Sequence, residues 1–311
     1  MKIMAHIPVL LNEVIKFLEP KPGDVILDAT IGGGGHAREI LKRILPNGKL
    51  IGIDQDATLI SNLKSLPADA AHQKNLILIN GNFRNLDKLL EPLKISAKGG
   101  SASGGKKLDA VLCDLGMNSL QLEESGRGFT FLKNEPLITT YKFPASPDDL
   151  TAEKILNTWP EKDIAEVLFR WGEERYARRI AKKIIETRRK KSFKTTFELV
   201  EAILKSVPRR HYYKINPATK TFQALRIAVN DELNALSEVL EKAWRLLVPG
   251  SRLVVISFHS LEDRIVKNFL KNKAKEGTAE VKTKKPIRPS IEEIRFNPKS
   301  RSAKLRAAIK I

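Results

Sequence analysis

The sequence has one cysteine, Cys113, in 311 residues. That excludes an internal disulfide and a cysteine-built zinc cage, and it fits a reducing compartment. Aromatic residues make up 6%, too few for a stacking platform along single-stranded nucleic acid. Long apolar runs are absent as well. The stretch from Met1 to Pro20 is apolar only in patches, broken by Asn12, Glu13 and Lys16, so neither a signal-peptide core nor a membrane span of about 20 residues can be drawn. A cytoplasmic protein with no membrane partner is expected. Acidic residues are in deficit: against 55 Lys and Arg stand 36 Asp and Glu, a formal net charge of +19. A field of that sign calls for an anionic partner, most simply nucleic acid.

The length suggests two domains, or one large domain carrying an insertion. Five short apolar runs rich in β-branched residues read as buried strands: Val25-Ile26-Leu27, Leu50-Ile51-Gly52-Ile53, Leu76-Ile77-Leu78-Ile79, Ala110-Val111-Leu112 and Leu253-Val254-Val255-Ile256. Helical periods or turn chemistry separate the first four, the alternation of βαβ units feeding a parallel sheet covered on both faces. An α/β, Rossmann-like fold is therefore expected. Asp28, Asp54 and Asp114 end three of these strands, on the carboxyl edge where open α/β sheets bind ligands.

The interval between the runs at Val111 and Val254 is far longer than a crossover needs. Within it, Ile155-Leu156-Trp159, Ile164-Val167-Leu168-Trp171 and Tyr176-Ile180-Ile184 keep helical spacing. Thr195 and Glu198 form a capping box ahead of Leu199, Val200, Ile203 and Leu204. The reading is an inserted helical domain over residues 136–215 in a discontinuous sheet domain of residues 1–135 and 216–311. Two segments resemble mobile linkers: the Gly/Ser/Lys stretch from Ser96 to Lys107, and the Lys-rich stretch from Lys271 to Pro289. Gly100, Gly105 and Lys106 have P-loop spacing, but Lys107 stands where a magnesium-binding Ser or Thr is needed.

The most informative stretch is Asp28-Ala29-Thr30-Ile31-Gly32-Gly33-Gly34-Gly35-His36-Ala37, between the first strand and a helical run. Its glycines let the backbone approach a ligand, and Asp54 follows at the distance of a ribose-hydroxyl acceptor. The pattern alone does not separate NAD from S-adenosylmethionine. Asp28 favours the latter, because a carboxylate repels a pyrophosphate but stabilises an ammonium or a sulfonium. His36 opens the helix and could cap it or touch a ligand, and Asn82 with Phe83 stand where an adenine could be bonded and stacked. After the fourth strand, Asp114, Asn118 and Ser119 are suited to hold an exocyclic amine in line with a methyl group, chemistry that needs alignment and no metal.

These motifs coincide with a family. The chain resembles the bacterial 16S ribosomal RNA cytosine-N4 methyltransferases (RsmH, or MraW) over nearly its whole length. The matching motifs are His6-Ile7-Pro8-Val9-Leu10-Leu11, Gly33 to His36, Asp54-Gln55-Asp56, Asp114-Leu115-Gly116, Ser119-Leu120-Gln121-Leu122, Arg127-Gly128-Phe129, Gly172-Glu173-Glu174-Arg175, Pro217-Ala218-Thr219, Thr221 to Glu232 and Arg301 to Arg306. The resemblance implies a class I methyltransferase fold with an inserted helical domain, S-adenosylmethionine as donor, and N4 of a cytidine as acceptor. It carries cofactor contacts onto Gly34, Gly35, His36, Asp54, Phe83, Asp114 and Gln121. Relatives usually read Pro-Leu-Asp-Met-Arg-Met-Asp where this chain has Pro136-Leu137-Ile138-Thr139-Thr140-Tyr141-Lys142, and His where it has Asn216.

Basic residues crowd the inserted helices (Arg175, Arg178, Arg179, Lys182, Lys183, Arg188 to Lys191) and the C-terminal part (Lys282, Lys284, Lys285, Arg288, Lys299, Arg301, Lys304, Arg306). Such clusters suit phosphate contacts on folded 16S ribosomal RNA, within the small subunit, with one cytosine extruded. A homodimer is compatible with the sequence. The alternative is a non-catalytic rRNA-binding assembly factor that keeps the fold, suggested by the altered segment from Ile138 to Lys142. A DNA amino-methyltransferase is disfavoured, since no Asn/Asp-Pro-Pro-aromatic motif follows the fourth strand.

Overall fold

A computed structural model describes residues 7–65, 74–93, 107–208 and 216–311. In chain order these form α1 (Leu11–Leu18), β1 (Val25–Asp28), α2 (Gly35–Ile44), β2 (Lys49–Asp54), α3 (Ala57–Ser65), β3 (Leu76–Asn80), α4 (Leu86–Leu90) and β4 (Leu108–Asp114). Then come α5 (Ser119–Glu123), α6 (Ala152–Thr158), α7 (Glu161–Gly172), α8 (Ala177–Arg188), α9 (Thr196–Ser206) and α10 (Ala218–Asn230). The chain closes with α11 (Glu232–Leu246), β5 (Leu247–Ser257), α12 (Ser260–Lys275), β6 (Ala279–Val281), α13 (Ile291–Phe296) and β7 (Lys304–Lys310). No helix among the described residues is long and apolar enough to cross a membrane.

Two compact units result, Met1–Gly116 with Leu233–Ile311, and Met117–Glu232. In the first, a seven-stranded sheet runs in the order β3-β2-β1-β4-β5-β7-β6. β1 to β5 are parallel, and β7 is antiparallel to β5 and β6. All five strand runs read from the sequence are realised. Their period-2 geometry sends alternate side chains to opposite faces. Leu27, Ile51, Ile53, Val111 and Val255 pack with Leu86, Leu90, Val239, Leu240 and Val266 on one face. Ile26, Leu50, Leu112, Val254 and Ile256 pack with Val14, Leu18, Ile40, Ile44 and Ile60 on the other. Burial on both faces explains why the four central runs read as continuous apolar stretches, whereas β3, at the sheet edge, is half-buried rather than buried as expected.

The second unit is helical around a separate core that includes Ile155, Leu156, Ile164, Leu168, Ile180, Ile184, Leu199 and Ile203. The capping box is present: Oε2 of Glu198 accepts from the Thr195 amide at 3.1 Å. The unit is wider than the 136–215 span expected. Ala218, Phe222 and Leu225 of α10 are buried in the helical core, and Phe131 meets Phe222 edge-on at 5.4 Å. Both flanks therefore join the helices through apolar burial.

The stretch from Lys271 to Pro289 is not a linker. It carries the end of α12, strand β6 and a bridge from Ile287 to Leu305. In β6, Ala279 is buried while Glu280 is exposed, a charged edge strand that resists further pairing. The P-loop spacing at Gly100 to Lys106, and nearly all of the other linker, lie outside the described residues. Arg306 is not on a basic face. It is 5% exposed and grips Asp263 of α12 in two hydrogen bonds of 2.6 and 3.2 Å. Arg306→Ala is expected to destabilise the sheet unit by about 2 kcal/mol, because the partly buried Asp263 carboxylate loses its partner. Chemical denaturation checks this, and an unchanged midpoint would return Arg306 to the surface.

Candidate active site

The carboxyl edge of the sheet is stitched through its backbone. After β1, the Ala29 amide donates to the Leu112 carbonyl and the Ile31 amide to Ile53, each at 2.9 Å. Between them stands Thr30, whose hydroxyl oxygen accepts from the Asp114 amide at 2.7 Å. The Thr30 amide donates to Oδ1 of Asp28 at 3.1 Å, and its hydroxyl also hydrogen-bonds that carboxyl. One threonine thus joins the acids at the ends of β1 and β4. Sequence reading passed over Thr30, although a hydroxyl between an acid and a glycine run is a signal for such a bridge.

The glycine run needs its residue type at two points. Gly34, at φ 76°, precedes α2, and a Cβ there would come within 2.7 Å of Leu63. Gly32, at φ 50°, donates its amide to Oδ2 of Asp54 at 3.1 Å. The other oxygen of Asp54 accepts from the Asp56 amide at 2.9 Å. Asp54 therefore holds the loop through both carboxylate oxygens, at the strand end where a ribose hydroxyl would be met. Gly35 opens α2, and His36 follows it, 5% exposed. The ring Nε2 of His36 lies 2.9 Å from the Val9 carbonyl, and Nδ1 lies 3.5 Å from Oδ2 of Asp114.

The electrostatics are set by burial. Asp28 is 2% exposed, and desolvation, with Asp54 adding repulsion, raises its pKa to about 7. Burial likewise raises the Asp114 carboxyl well above the usual range, helped by Asp28 and Glu262. The Cys113 thiol is pushed up by burial and by both acids, so it is an inert core group. Oδ1 of Asp114 is shielded from solvent with no hydrogen-bond partner among the described residues. Two buried carboxyls that resist ionisation, beside a glycine loop and an unsatisfied acceptor, fit a cationic ligand that also donates hydrogen bonds.

Phe83 is half-buried at the edge of the sheet core, packed against it in part. Asn82 is engaged in structure: Oδ1 accepts from the Arg84 amide at 2.9 Å, and Nδ2 donates to Gln55 at 3.1 Å. Asn118 and Gln121 belong to the other unit. There Asn118 caps α5, accepting from the Gln121 amide at 2.8 Å, while the buried Gln121 side chain accepts from the Asn118 amide at 3.2 Å. Their amide NH₂ groups remain as donors. Ser119 is the first residue of α5.

The altered segment is held by its main chain. Arg127, 4% exposed, donates to the Thr140 and Tyr141 carbonyls at 3.3 Å each. Asn230 takes the Tyr141 amide at 2.7 Å and gives its own NH₂ to the Thr139 carbonyl at 2.8 Å. Tyr141 stacks on Phe129 at 5.6 Å. Asn216 accepts from the Ala218 amide at 2.9 Å, so it helps start α10.

A sheet of this order, with a glycine loop after β1 and acids ending β1, β2 and β4, defines a Rossmann-like methyltransferase. The chain belongs to the MraW methylase family, whose sequence profile matches residues 3–311. Three relatives carry the name ribosomal RNA small subunit methyltransferase H. The protein of Thermotoga neapolitana is 45% identical over 97% of this chain and 95% of its own. That of Heliobacterium mobile is 43% identical over 98% and 99%, and that of Carboxydothermus hydrogenoformans 42% identical over 99% and 98%.

The Asp28 carboxyl, at about 7, links pH to both stability and ligand binding. Its folded value lies above the unfolded one, so the native state holds the extra proton, and stability is lost as pH rises from about 4 to about 7. A cation that binds beside ionised Asp28 behaves oppositely: S-adenosylmethionine affinity is expected to rise about tenfold between about pH 6 and about pH 8. Calorimetry at several pH values checks this. A dependence that persists undiminished in Asp28→Asn would remove Asp28 from the site.

Proposed function

We infer that this chain methylates the N4 amine of a cytidine in small-subunit ribosomal RNA, with S-adenosylmethionine as donor. The observation that carries the reading is the pair of buried Asp28 and half-buried Asp114, joined through Thr30 beside the glycine loop. S-adenosylmethionine, when bound, supplies a methyl group on a sulfonium: the C–S bond breaks with its electrons kept by sulfur as the N4 lone pair forms the N–C bond. Gly34, Gly35, His36, Asp54 and Phe83 hold the donor, Asp28 offsets its positive charge, and the family resemblance assigns Gln121 as a further contact. Asp114 is the catalytic residue. Its unsatisfied Oδ1 accepts an N4 hydrogen, aligns the lone pair and takes the proton that N4 releases, and Asn118 and Ser119 are the further residues that the sequence assigns to the amine. Burial keeps water from competing as the methyl acceptor.

RNA is held by cations outside this site. Arg178, Arg179 and Lys182 are exposed along α8. Nearby, a groove of about 520 Å³ is lined by Lys183, Arg189, Lys190, Lys191 and Lys205 together with Glu186, Glu198 and Glu201. Arg188 is apart from these, since it donates to the Leu156 and Trp159 carbonyls at 2.9 and 2.7 Å. The reaction belongs in the cytoplasm, on the small subunit or its precursor.

Purified protein with S-adenosylmethionine and unmodified small subunits is expected to yield N4-methylcytidine by nucleoside mass spectrometry, and Asp114→Ala to abolish it. No product, with cofactor still bound, would favour the non-catalytic assembly factor. RNA affinity should fall steeply with salt, and Arg178→Ala with Lys182→Ala should lower the log–log slope by about one per residue. A slope unchanged by both would move the RNA face elsewhere.

A further inference from the structure

The two oxygens of Asp114 have unlike surroundings. Oδ2 lies 3.5 Å from Nδ1 of His36, whereas Oδ1 has no hydrogen-bond partner among the described residues. His36 is itself fixed from behind, with Nε2 2.9 Å from the Val9 carbonyl in the segment ahead of α1. A carbonyl only accepts, so Nε2 carries hydrogen in every state of the ring, and Nδ1 is the atom left to face the carboxyl. The Asp114 amide is pinned by Thr30 at 2.7 Å, which fixes the backbone but leaves carboxyl rotation to be set by something else.

We propose that His36 is a positioning residue for the methyl transfer: anchored on Val9, it holds Oδ2 of Asp114 and so aims Oδ1 at the exocyclic amine. This rests on the reading of Asp114 as the group that orients that amine. One proton bridges Nδ1 and Oδ2, because two facing lone pairs repel in a site shielded from water. The other titratable groups around the pair favour keeping it. Asp28 at the end of β1, beside Asp54, acts on Asp114, as does Glu262 of α12, which pairs with His259; Cys113 precedes it on β4. When N4 gives up its proton, Oδ1 takes it while the bridging proton stays on the imidazole. His36 therefore acts through Asp114, in addition to any contact with the donor.

Two substitutions separate the halves of this arrangement. The amide of glutamine reaches where Nε2 stands and keeps the Val9 anchor, and that of asparagine reaches where Nδ1 stands and keeps the link to Asp114. His36→Gln is expected to lower kcat at saturating cofactor on small subunits by about 10- to 100-fold, beyond whatever its donor contact costs in calorimetric affinity, and His36→Asn to recover most of that kcat. The acid limb of the kcat profile should shift in His36→Gln and be restored in His36→Asn. Independently of activity, nitrogen-15 NMR of the ligand-free protein should show a ring held as Nε2–H whose titration moves to lower pH in Asp114→Asn. An imidazole titration unmoved by Asp114→Asn overturns the proposal, and it decides the matter alone if a His36 variant fails to fold. A kcat loss in His36→Gln matched by lost cofactor affinity, with no rescue by asparagine, overturns it too. Wild-type turnover in Asp114→Asn would instead remove Asp114 from the chemistry and leave the NMR coupling standing.

Discussion

The hydroxyl of Thr30 joins the ends of two neighbouring strands, accepting from the Asp114 amide at 2.7 Å while its own hydrogen serves the Asp28 carboxyl. Much of the sheet edge depends on that bridge. Burying two carboxyls side by side is costly unless each is hydrogen-bonded. Parallel strands leave their terminal amides unmatched at this edge, and a threonine in the first turn satisfies one of each with a single group. The glycine run can then leave β1 sharply, with Gly32 held by Asp54 and Gly34 entering α2 under Leu63. Loop, acids and helix start are thus one construction, built on backbone positions that the parallel sheet fixes.

The same construction separates two kinds of charge. The chain carries +19 overall, yet burial and neighbouring acids make Asp28 and Asp114 resist ionisation, and among the described residues His36 is the one basic side chain recorded within ion-pair distance of either. The surplus lies on exposed helix faces, Arg178 and Lys182 among them. Polyanionic RNA and a cationic donor make opposite demands on one protein, and they are met by keeping lysines and arginines at the surface and acids at the sheet edge. Arg306 shows the limit of reading charge from sequence: it stands in a basic run, but its partner is Asp263 at 2.6 Å.

Where apolar period dominates, sequence and structure agree. The strands at Val25, Leu50, Ala110 and Leu253, and the helices through Ile164 and Ile180, are specified by burial that few alternatives could satisfy, while the strand at Leu76, expected to be buried, is a half-buried edge strand. β6 and β7 escaped notice for a physical reason. β7 places Ala307 and Ala308 in its middle, weak strand formers that become strand by pairing with β5 and β6. The acids of the site were legible because each ends an apolar run. Their partners were not, since Thr30, Val9 and the amide of Asp114 meet only when distant segments fold together. The unit boundary was misplaced for a related reason: α10 opens after Asn216 with ordinary helical chemistry, and only packing shows which core it joins.

The substituted segment from Ile138 to Lys142 follows the same logic of backbone before side chain. Arg127 binds two carbonyl oxygens there, and Asn230 binds an amide and a carbonyl. None of these four contacts depends on which side chains the segment carries. Leu137 is fully buried, while Ile138 and Lys142, the positions where the family resemblance leads one to expect acids, are half-buried and exposed. Thr139 adopts φ 55°, a left-handed conformation that a β-branched residue adopts only when its surroundings impose it. The fold therefore dictates the path of this segment against the preference of the residue in it, with Arg127 and Asn230 holding the main chain.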